Sequence, residues 1–301
     1  MQIWQYTWAD AIARAVDDER ATNGDTVRVA AGREPATMDA VVQRTLTDLA
    51  AKSLPAGAAH YTAYVGPPEQ YDLMGAAQFR LLTTLGLRDF HYVLDFGCGS
   101  LRAGRLLIPY LAPEHYHGLE PNIWLVEDAV ERQLGAHLVT LKRPRFHSFA
   151  DFRAERCGVD FDFILAQSIF SHCGADLIAT TLRGFRLALA PGGLALVTLL
   201  HPGQDGAAEF HGGDWVYPQS VAHAPRTFAR IVAAADLFCR RLRWFHPRQT
   251  WYAVARDPRN LPPRSFDRHL RGAVLNVPEW QASLSRSWDR WRRLVSAGGW
   301  R

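Results

Sequence analysis

The stretch that most constrains the fold is residues 91–102, with the sequence HYVLDFGCGSLR. Residues 93–96 predict a short buried strand, and Gly97 and Gly99 allow a turn where a side chain would collide with a ligand. From Ser100 onward, apolar residues recur at helical spacing, so a helix should begin beside the turn. Such a strand–turn–helix unit directs backbone N–H groups and a positive helix end to one point. It therefore predicts a site for a nucleotide-like or carboxylate-bearing ligand.

Two acidic residues and a missing glycine narrow the choice of ligand. Asp95 precedes the first glycine, and the next predicted strand, residues 116–120, ends on Glu120. A carboxylate at the tip of the second strand commonly binds the hydroxyl pair of a ribose. A carboxylate beside the glycine turn would repel a pyrophosphate but can hold a cationic amine. Arg102 occupies the third glycine position of the dinucleotide pattern G-x-G-x-x-G. The pattern favours a nucleoside with an amino-acid tail over a dinucleotide.

In these residues and their order, the sequence resembles the class I S-adenosylmethionine-dependent methyltransferases of small-molecule type. The resemblance rests on residues 95–100, 118–120, 161–168 and 189–197, and it extends from about residue 61 to about residue 256. It implies an α/β, Rossmann-like fold whose seven-stranded, mostly parallel sheet has the order 3-2-1-4-5-7-6, with helices on both faces. It also implies that S-adenosyl-L-methionine is the cofactor.

The chain is expected to have three parts. Residues 1–60 form a helical N-terminal extension, residues 61–256 the methyltransferase domain, and residues 257–301 a linker with a C-terminal helix. Within the domain, residues 201–225 are a polar, glycine-rich insertion after the fifth strand, where a substrate wall is expected because loops at strand ends carry specificity. Residues 240–245 and 250–256 flank residues 246–249 and predict a terminal hairpin. Methyltransferases of this class have such a hairpin, and simple dehydrogenases lack it.

The resemblance also assigns cofactor-binding residues. They are Tyr71, Met74, Asp95, Gly97, Cys98, Gly99, Ser100, Arg102, Glu120, Pro121, Asn122, Asp151, Phe152 and Gln167. Among them, Tyr71 and Met74 should contact the methionine part, Asp151 and the Phe152 backbone should meet the adenine, and Gln167 should lie near the sulfonium. Two alternatives stay open: Met74 is an ordinary core residue, and Asp151 is an exposed loop residue.

Methyl transfer needs alignment of donor and acceptor, and a base helps when the acceptor must lose a proton. His172 follows the fourth strand and is the first candidate for this base, with His201 and His211 next. A structural role for His172 as a helix cap stays open, and a carboxylate acceptor would need no base. O-methylation is favoured, with N- or C-methylation possible. The histidines of the insertion lack the spacing of a helix-borne metal site, so no metal is expected.

Composition bears on location and on partners. No apolar run of about eighteen residues predicts a membrane span, and the N-terminus lacks the pattern of a signal peptide. The four cysteines show no Cys-x-x-Cys spacing, which favours reduced thiols and a cytoplasmic protein. From residue 226 to residue 301 there are sixteen arginines against five acidic residues, but no nucleic-acid recognition motif accompanies them.

The expected partner is therefore a small-molecule substrate, with a homodimer possible. Three other functions stay open. The first is an RNA methyltransferase, which the basic C-terminal region would suit. The second is a non-catalytic homologue that binds the cofactor. The third is an NAD-dependent dehydrogenase, which Asp95 and the missing third glycine disfavour.

Overall fold

A computed structural model describes residues 38–204 and 207–270. Most of the predicted N-terminal extension and the predicted C-terminal helix therefore lie outside the described residues. Within the described part, no helix is both long enough and apolar enough to cross a membrane.

The centre of the fold is one seven-stranded sheet. Its strands are β1 (Val93–Phe96), β2 (Tyr116–Leu119), β3 (Arg145–His147), β4 (Phe161–Ala166), β5 (Leu189–Leu199), β6 (Phe238–Arg241) and β7 (Thr250–Ala255). Their order across the sheet is β3-β2-β1-β4-β5-β7-β6. The first five strands pair in parallel, whereas β7 is antiparallel to both β5 and β6. This order and this pattern of directions confirm the predicted fold.

The helices that the structure describes precede the sheet, connect its strands or follow its last strand. They are α1 (Met38–Thr45), α2 (Asp48–Ala51), α3 (Tyr61–Tyr64), α4 (Tyr71–Thr84), α5 (Gly104–Tyr110), α6 (Ile123–Ala129), α7 (Ala136–Lys142), α8 (Ala175–Ala188), α9 (Pro225–Ala234) and α10 (Asp267–Leu270). A π-helical turn over Val130–Leu134 continues α6. The polar insertion, residues 201–225, lies between β5 and α9 and is mostly irregular.

The core has two layers because side chains alternate across the parallel strands. Val93 faces the layer that contains Leu107 of α5 and Val126 of α6. Its neighbour Leu94 faces the opposite layer, which contains Phe185 of α8. Strands β1, β4 and β7 are buried on both faces and are nearly continuous apolar runs, whereas the edge strand β6 is partly exposed.

Three element boundaries differ from the predictions. The helix after the glycine turn begins at Gly104, because residues 100–103 complete the turn and Leu101 has a φ of 58°. The sequence of residues 144–152 predicts a third strand that runs into a loop, and strand β3 is confined to Arg145–His147. In the hairpin, β6 spans Phe238–Arg241 instead of residues 240–245, so residues 242–249 form a longer loop. The register that pairs Phe238 with Ala255 sets this shorter strand.

Candidate active site

A cavity of about 490 Å³ lies where the parallel strands end. The loops that follow β1, β2, β3 and β4 form its floor and sides. Residues 64–67, the insertion residues 215–220 and the hairpin loop 246–249 complete the wall. In doubly wound sheets, ligands bind at the carboxyl ends of the strands near the point where strand order reverses. In this sheet the strand order reverses between β1 and β4, and the loops that follow these two strands both line the cavity.

The glycine turn after β1 lets the backbone approach its neighbours closely. Gly97 has a φ of 71° and Gly99 a φ of 52°, a region that favours glycine. A Cβ atom at Gly97 would lie 2.2 Å from Cδ1 of Ile169, and one at Gly99 would lie 2.5 Å from Cγ1 of Val65. Both backbone N–H groups of Gly97 and Cys98 donate to the Leu119 carbonyl, at 2.8 and 3.0 Å. The turn is therefore held against the tip of β2.

Asp95 is a buried carboxylate at the end of β1, and it lines the cavity. Tyr116 donates its phenolic hydrogen to Oδ2 of Asp95 at 2.9 Å. Burial raises the pKa of Asp95 to about 7, against the lowering effects of the Tyr116 hydrogen bond and the Arg102 charge. A carboxylate desolvated in this way gains from a cation placed beside it.

Glu120 is a second buried carboxylate, immediately after β2. Its Oε2 accepts the N–H of Gly99 at 3.1 Å, and its Oε1 accepts the backbone N–H of Asn122 at 2.8 Å. Burial raises the pKa of Glu120. Glu120 thus connects the glycine turn to the start of α6, and Glu120, Pro121 and Asn122 all line the cavity. A carboxylate in this place can accept hydrogen bonds from a ribose diol.

The cavity lining contains most of the predicted cofactor-binding residues. Those that line it are Met74, Asp95, Gly97, Cys98, Gly99, Arg102, Glu120, Pro121, Asn122, Phe152 and Gln167. Arg102 donates to the Val65 carbonyl at 2.9 Å, while its buried Nε has no partner among the described residues. Gln78 also lines the cavity, although the sequence analysis did not assign it to the site. Its buried Oε1 has no hydrogen-bond partner among the described residues. Unpaired buried polar atoms beside a cavity are expected where a polar ligand completes the site.

Three predicted cofactor-binding residues, Tyr71, Ser100 and Asp151, lie outside the lining. Tyr71 donates to the Ser100 carbonyl at 2.7 Å and accepts from Ser100 Oγ at 3.2 Å, so both residues support the glycine turn from behind. Asp151 is exposed and forms an ion pair with Arg156, whose Nη1 lies 2.6 Å from its Oδ2. Its Oδ1 accepts the backbone N–H of Arg153. Its neighbour Phe152, with a φ of 61°, lines the cavity instead.

His172 is the histidine candidate that lines the cavity. Its Nδ1 lies 2.6 Å from the Gln219 carbonyl oxygen, so this nitrogen carries the ring proton and donates it. The Nε2 atom is therefore the proton-accepting atom of the neutral ring. Burial lowers the pKa of His172, which the carbonyl contact partly offsets. The ring is thus neutral near pH 7 with a lone pair available at Nε2.

The other two histidine candidates lie outside the lining. His201 is buried, with Nδ1 2.7 Å from the His223 carbonyl and Nε2 3.0 Å from the Tyr252 hydroxyl. Both of its nitrogens are therefore used to join the insertion to the sheet. His211 is exposed at the surface of the insertion. Within the described residues, no group of three or more His, Cys, Asp or Glu side chains could hold a metal ion.

The insertion covers the cavity with aromatic side chains. Trp215 and Tyr217 line it, and their rings stack with centroids 6.1 Å apart. Tyr217 donates its hydroxyl hydrogen to the Tyr64 carbonyl at 2.8 Å, which joins the insertion to α3. The ring of Tyr217 also lies 5.1 Å from that of His172. The rings of Trp215 and Tyr217 thus form an aromatic roof beside the candidate base.

His246 and Gln249 of the hairpin loop also line the cavity, and the sequence assigned them only to a turn. A topological signal could have found them. Because β7 is antiparallel to β5, the loop that precedes β7 must lie at the edge where β5 ends. The hairpin loop therefore reaches the same edge as the glycine turn.

Comparisons with known proteins bear on the family. Residues 94–195 match a family model described as a methyltransferase domain. The match covers the glycine turn, β2 and β4, and it confirms the resemblance seen in the motifs. Among the curated proteins, none matches the sequence.

Several solved structures are similar in fold. One is magnesium protoporphyrin IX methyltransferase from Synechocystis PCC 6803 with bound SAM, 13% identical over 62% of this chain and 81% of that one, with a TM-score of 0.46. Another is the glycopeptide N-methyltransferase MtfA with SAM, 13% identical over 61% and 94%, with a TM-score of 0.48. A third is a methyltransferase from Clostridium acetobutylicum, 12% identical over 61% and 92%, with a TM-score of 0.47. At these TM-scores the likenesses do not indicate an acceptor.

Proposed function

We propose that this chain, which contains a methyltransferase domain, transfers a methyl group from S-adenosylmethionine to a small-molecule acceptor, with oxygen as the favoured acceptor atom. The observation that carries the proposal is the pair of buried carboxylates, Asp95 and Glu120, on the two sides of one glycine turn. They suit the two ends of the same ligand. Asp95 suits an ammonium, and Glu120 suits a ribose diol.

The lining fits the polar groups of such a ligand. Asp95 would hold the α-ammonium, and the guanidinium of Arg102, with its buried and unpaired Nε, would meet the carboxylate of the amino-acid tail. Glu120 would accept from the ribose hydroxyls, and Phe152 would pack against the base. Gly97 and Gly99 let the turn pack against Ile169 and Val65, because a Cβ atom at either glycine would collide with these side chains.

When bound, S-adenosylmethionine supplies a methyl group on a positively charged sulfur. The acceptor oxygen would form a bond to the methyl carbon as the bond from sulfur to that carbon breaks, and S-adenosylhomocysteine would leave. His172 would take the acceptor's proton on Nε2, because Nδ1–H is already committed to the Gln219 carbonyl. A positioned base of this kind contributes roughly 10²- to 10⁴-fold to rate. Trp215 and Tyr217 would exclude water from the site.

Calorimetric titration of the purified protein with S-adenosylmethionine and S-adenosylhomocysteine tests the cofactor assignment. We expect binding in the micromolar range, and a loss of about 30-fold or more in Asp95→Asn and in Glu120→Gln, since each removes a charge-assisted contact. Asp151→Asn is the matched control, because it also neutralises an aspartate beside the cavity but one outside the lining. Heat on addition of NADH, without heat from either adenosyl compound, would replace this function with a dehydrogenase.

The catalytic role of His172 is tested by release of S-adenosylhomocysteine in the presence of a panel of phenols, alcohols and carboxylic acids. His172→Gln should lower turnover with hydroxyl acceptors by about 10²-fold or more while leaving cofactor affinity unchanged. Equal turnover in the wild type and in this variant would remove the base from the mechanism. It would leave the cofactor assignment intact.

A further inference from the structure

The hairpin loop fixes the protonation pattern of His246. The Nδ1 atom of this ring accepts the backbone N–H groups of Arg248 and Gln249, at 3.1 and 2.9 Å. A nitrogen that accepts two hydrogen bonds cannot carry the ring proton, so the proton is on Nε2. Burial, with the nearby charges of Arg102 and Arg248, lowers the pKa of His246 to about 3. The ring is therefore neutral at working pH, and it is an N–H donor at Nε2.

That donor faces Gln167, the side chain at the end of β4. Nε2 of His246 lies 3.4 Å from the nitrogen of the Gln167 amide, which would set two donors against each other. The buried Oε1 of the same amide has no partner among the described residues. A half-turn of the amide exchanges the two atoms, so that the His246 N–H donates to Oε1. The amide NH₂ then takes the buried position of Oε1, where no described residue accepts a hydrogen bond from it, on a side chain that lines the cavity.

The charges around Gln167 also favour a ligand with oxygen lone pairs over a protonated amine. Among the described residues, the acidic side chains that line the cavity are Asp95 and Glu120, and both flank the glycine turn where the cofactor is proposed to bind. Near Gln167 the lining contains His172, His246 and the cation Arg248. A protonated amine placed here would face N–H donors and positive charge, with no lining carboxylate on its own side. An oxygen with free lone pairs would be complementary to the Gln167 NH₂.

We infer that Gln167 and His246 select an acceptor that presents oxygen lone pairs beside the methyl group, such as a hydroxyl, a phenol or a carboxylate, and reject a protonated amine. His246 is a positioning residue in this proposal, since it acts by holding the Gln167 amide in one orientation. The inference rests on the proposed function, because it places Gln167 next to the transferable methyl group.

Sinefungin provides the test, because it has an ammonium group where S-adenosylmethionine has the transferable methyl. Its dissociation constant is compared with that of S-adenosylhomocysteine, which has nothing at that position, by calorimetry on the full chain. For the wild type we expect sinefungin to bind about tenfold more weakly. A protonated amine beside an N–H donor is left unpaired, and tenfold corresponds to about 1.4 kcal/mol.

Two variants separate the effect of the Gln167 amide orientation from a general loss of ligand binding. His246→Asn keeps an oxygen near Nδ1 to accept the loop N–H groups but removes the Nε2 donor, so the Gln167 amide can turn its oxygen to the ammonium. It should erase the tenfold discrimination while changing the affinity for S-adenosylhomocysteine less than about twofold. Gln167→Glu places a carboxylate there and should make sinefungin the tighter ligand.

The outcomes are distinct from those for the proposed function. If wild-type protein binds neither compound, the proposed function fails. If S-adenosylhomocysteine binds but wild-type discrimination is below about threefold, the inference is overturned and the proposed function stands. Unchanged discrimination in His246→Asn would also overturn it. If His246→Asn does not bind S-adenosylhomocysteine, the inference is judged on two other proteins. These are the wild type and Gln167→Glu, each by its ratio of the sinefungin to the S-adenosylhomocysteine dissociation constant.

Discussion

Tyr116 on β2 donates its hydroxyl hydrogen to Asp95 on β1, and this 2.9 Å bond crosses between two strands that pair in parallel. The bond lowers the pKa of a carboxyl group that burial raises to about 7. Asp95 is therefore about half ionised at neutral pH before a cation arrives. A bound ammonium would favour the ionised form, so cofactor binding below pH 7 must release a proton from this residue.

We predict that S-adenosylhomocysteine affinity rises with pH up to the pKa of Asp95. Below about pH 7 the dissociation constant should fall roughly tenfold for each unit that the pH rises. Above about pH 7 it should no longer depend on pH. Titrations in two buffers with different ionisation enthalpies count the released proton. Tyr116→Phe should move the plateau to higher pH, because it removes the hydrogen bond that lowers the pKa of Asp95. Asp95→Asn should bind weakly with no slope in this range, and a slope that persists there would contradict the assignment.

The insertion is attached to the sheet through the first turn of α8. The N–H of Gly174 donates to the Asp214 carbonyl at 2.8 Å, and a Cβ at this glycine would lie 2.2 Å from the Gly212 carbonyl oxygen. We predict that Gly174→Ala destabilises the fold by about 1–3 kcal/mol, since backbone must move to make room. The displaced insertion should loosen the Trp215 and Tyr217 roof.

Hydrogen exchange over residues 207–223, with urea unfolding, measures both effects. Gly192→Ala is the control, because a Cβ there meets nothing within 4 Å. It should change stability by less than about 0.5 kcal/mol and leave exchange unaltered. Equal exchange rates in the two variants would show that the close contact at Gly174 does not hold the insertion.

His172 and His246 line one cavity, yet their contacts require opposite tautomers. Nδ1 of His172 faces the Gln219 carbonyl oxygen, whereas Nδ1 of His246 accepts two backbone N–H groups. We predict Nδ1–H for His172 and Nε2–H for His246, with both rings neutral at pH 7 because burial lowers each pKa. Long-range ¹H–¹⁵N correlation spectra distinguish the tautomers, and His172→Gln and His246→Asn assign the signals. Protonation of His246 at Nδ1 would contradict the arrangement of the hairpin loop.

The motifs predicted the first strand, its glycine turn and the acidic pair because these depend on local sequence, whereas the order of the sheet came from the family resemblance. A strand that ends on an acidic residue before Gly-x-Gly places Asp95 at the strand tip whatever surrounds it. The side chain of Tyr71 could not be placed in this way. Helical spacing puts Tyr71 and Met74 on neighbouring turns, but only the packed structure shows that Tyr71 supports Ser100 from behind while Met74 lines the cavity.

The histidines show the same limit. His201 lies just after β5 and is a sequence-based candidate for the base, but His223 and Tyr252 contact both of its ring nitrogens. These partners are 22 and 51 residues away along the chain, so no local pattern could indicate them. His246 was assigned to a turn because its role depends on β7 running antiparallel to β5.

His117 and His147 form a buried pair on β2 and β3, with Nδ1 of His117 3.1 Å from Nε2 of His147. Burial, with the neighbouring charges of His147 and Arg145, lowers the pKa of His117 to about 3. The unfolded chain protonates this residue below its ordinary value near 6.5, whereas the folded protein does not. Stability should therefore fall as the pH falls from about 6.5 towards 3.

We predict that His117→Phe removes about 2 kcal/mol of the stability loss between about pH 7 and pH 5, which is the free energy of protonating one unfolded-state histidine over that range. Urea unfolding at the two pH values measures it. The comparison must be made between variants, because Asp95 has the opposite sign: its raised pKa makes stability fall as pH rises from about 4 to 7. That contribution is common to the wild type and His117→Phe and cancels in the difference. Equal pH dependence in the two proteins would mean that His117 gains its proton in the folded state as readily as in the unfolded chain.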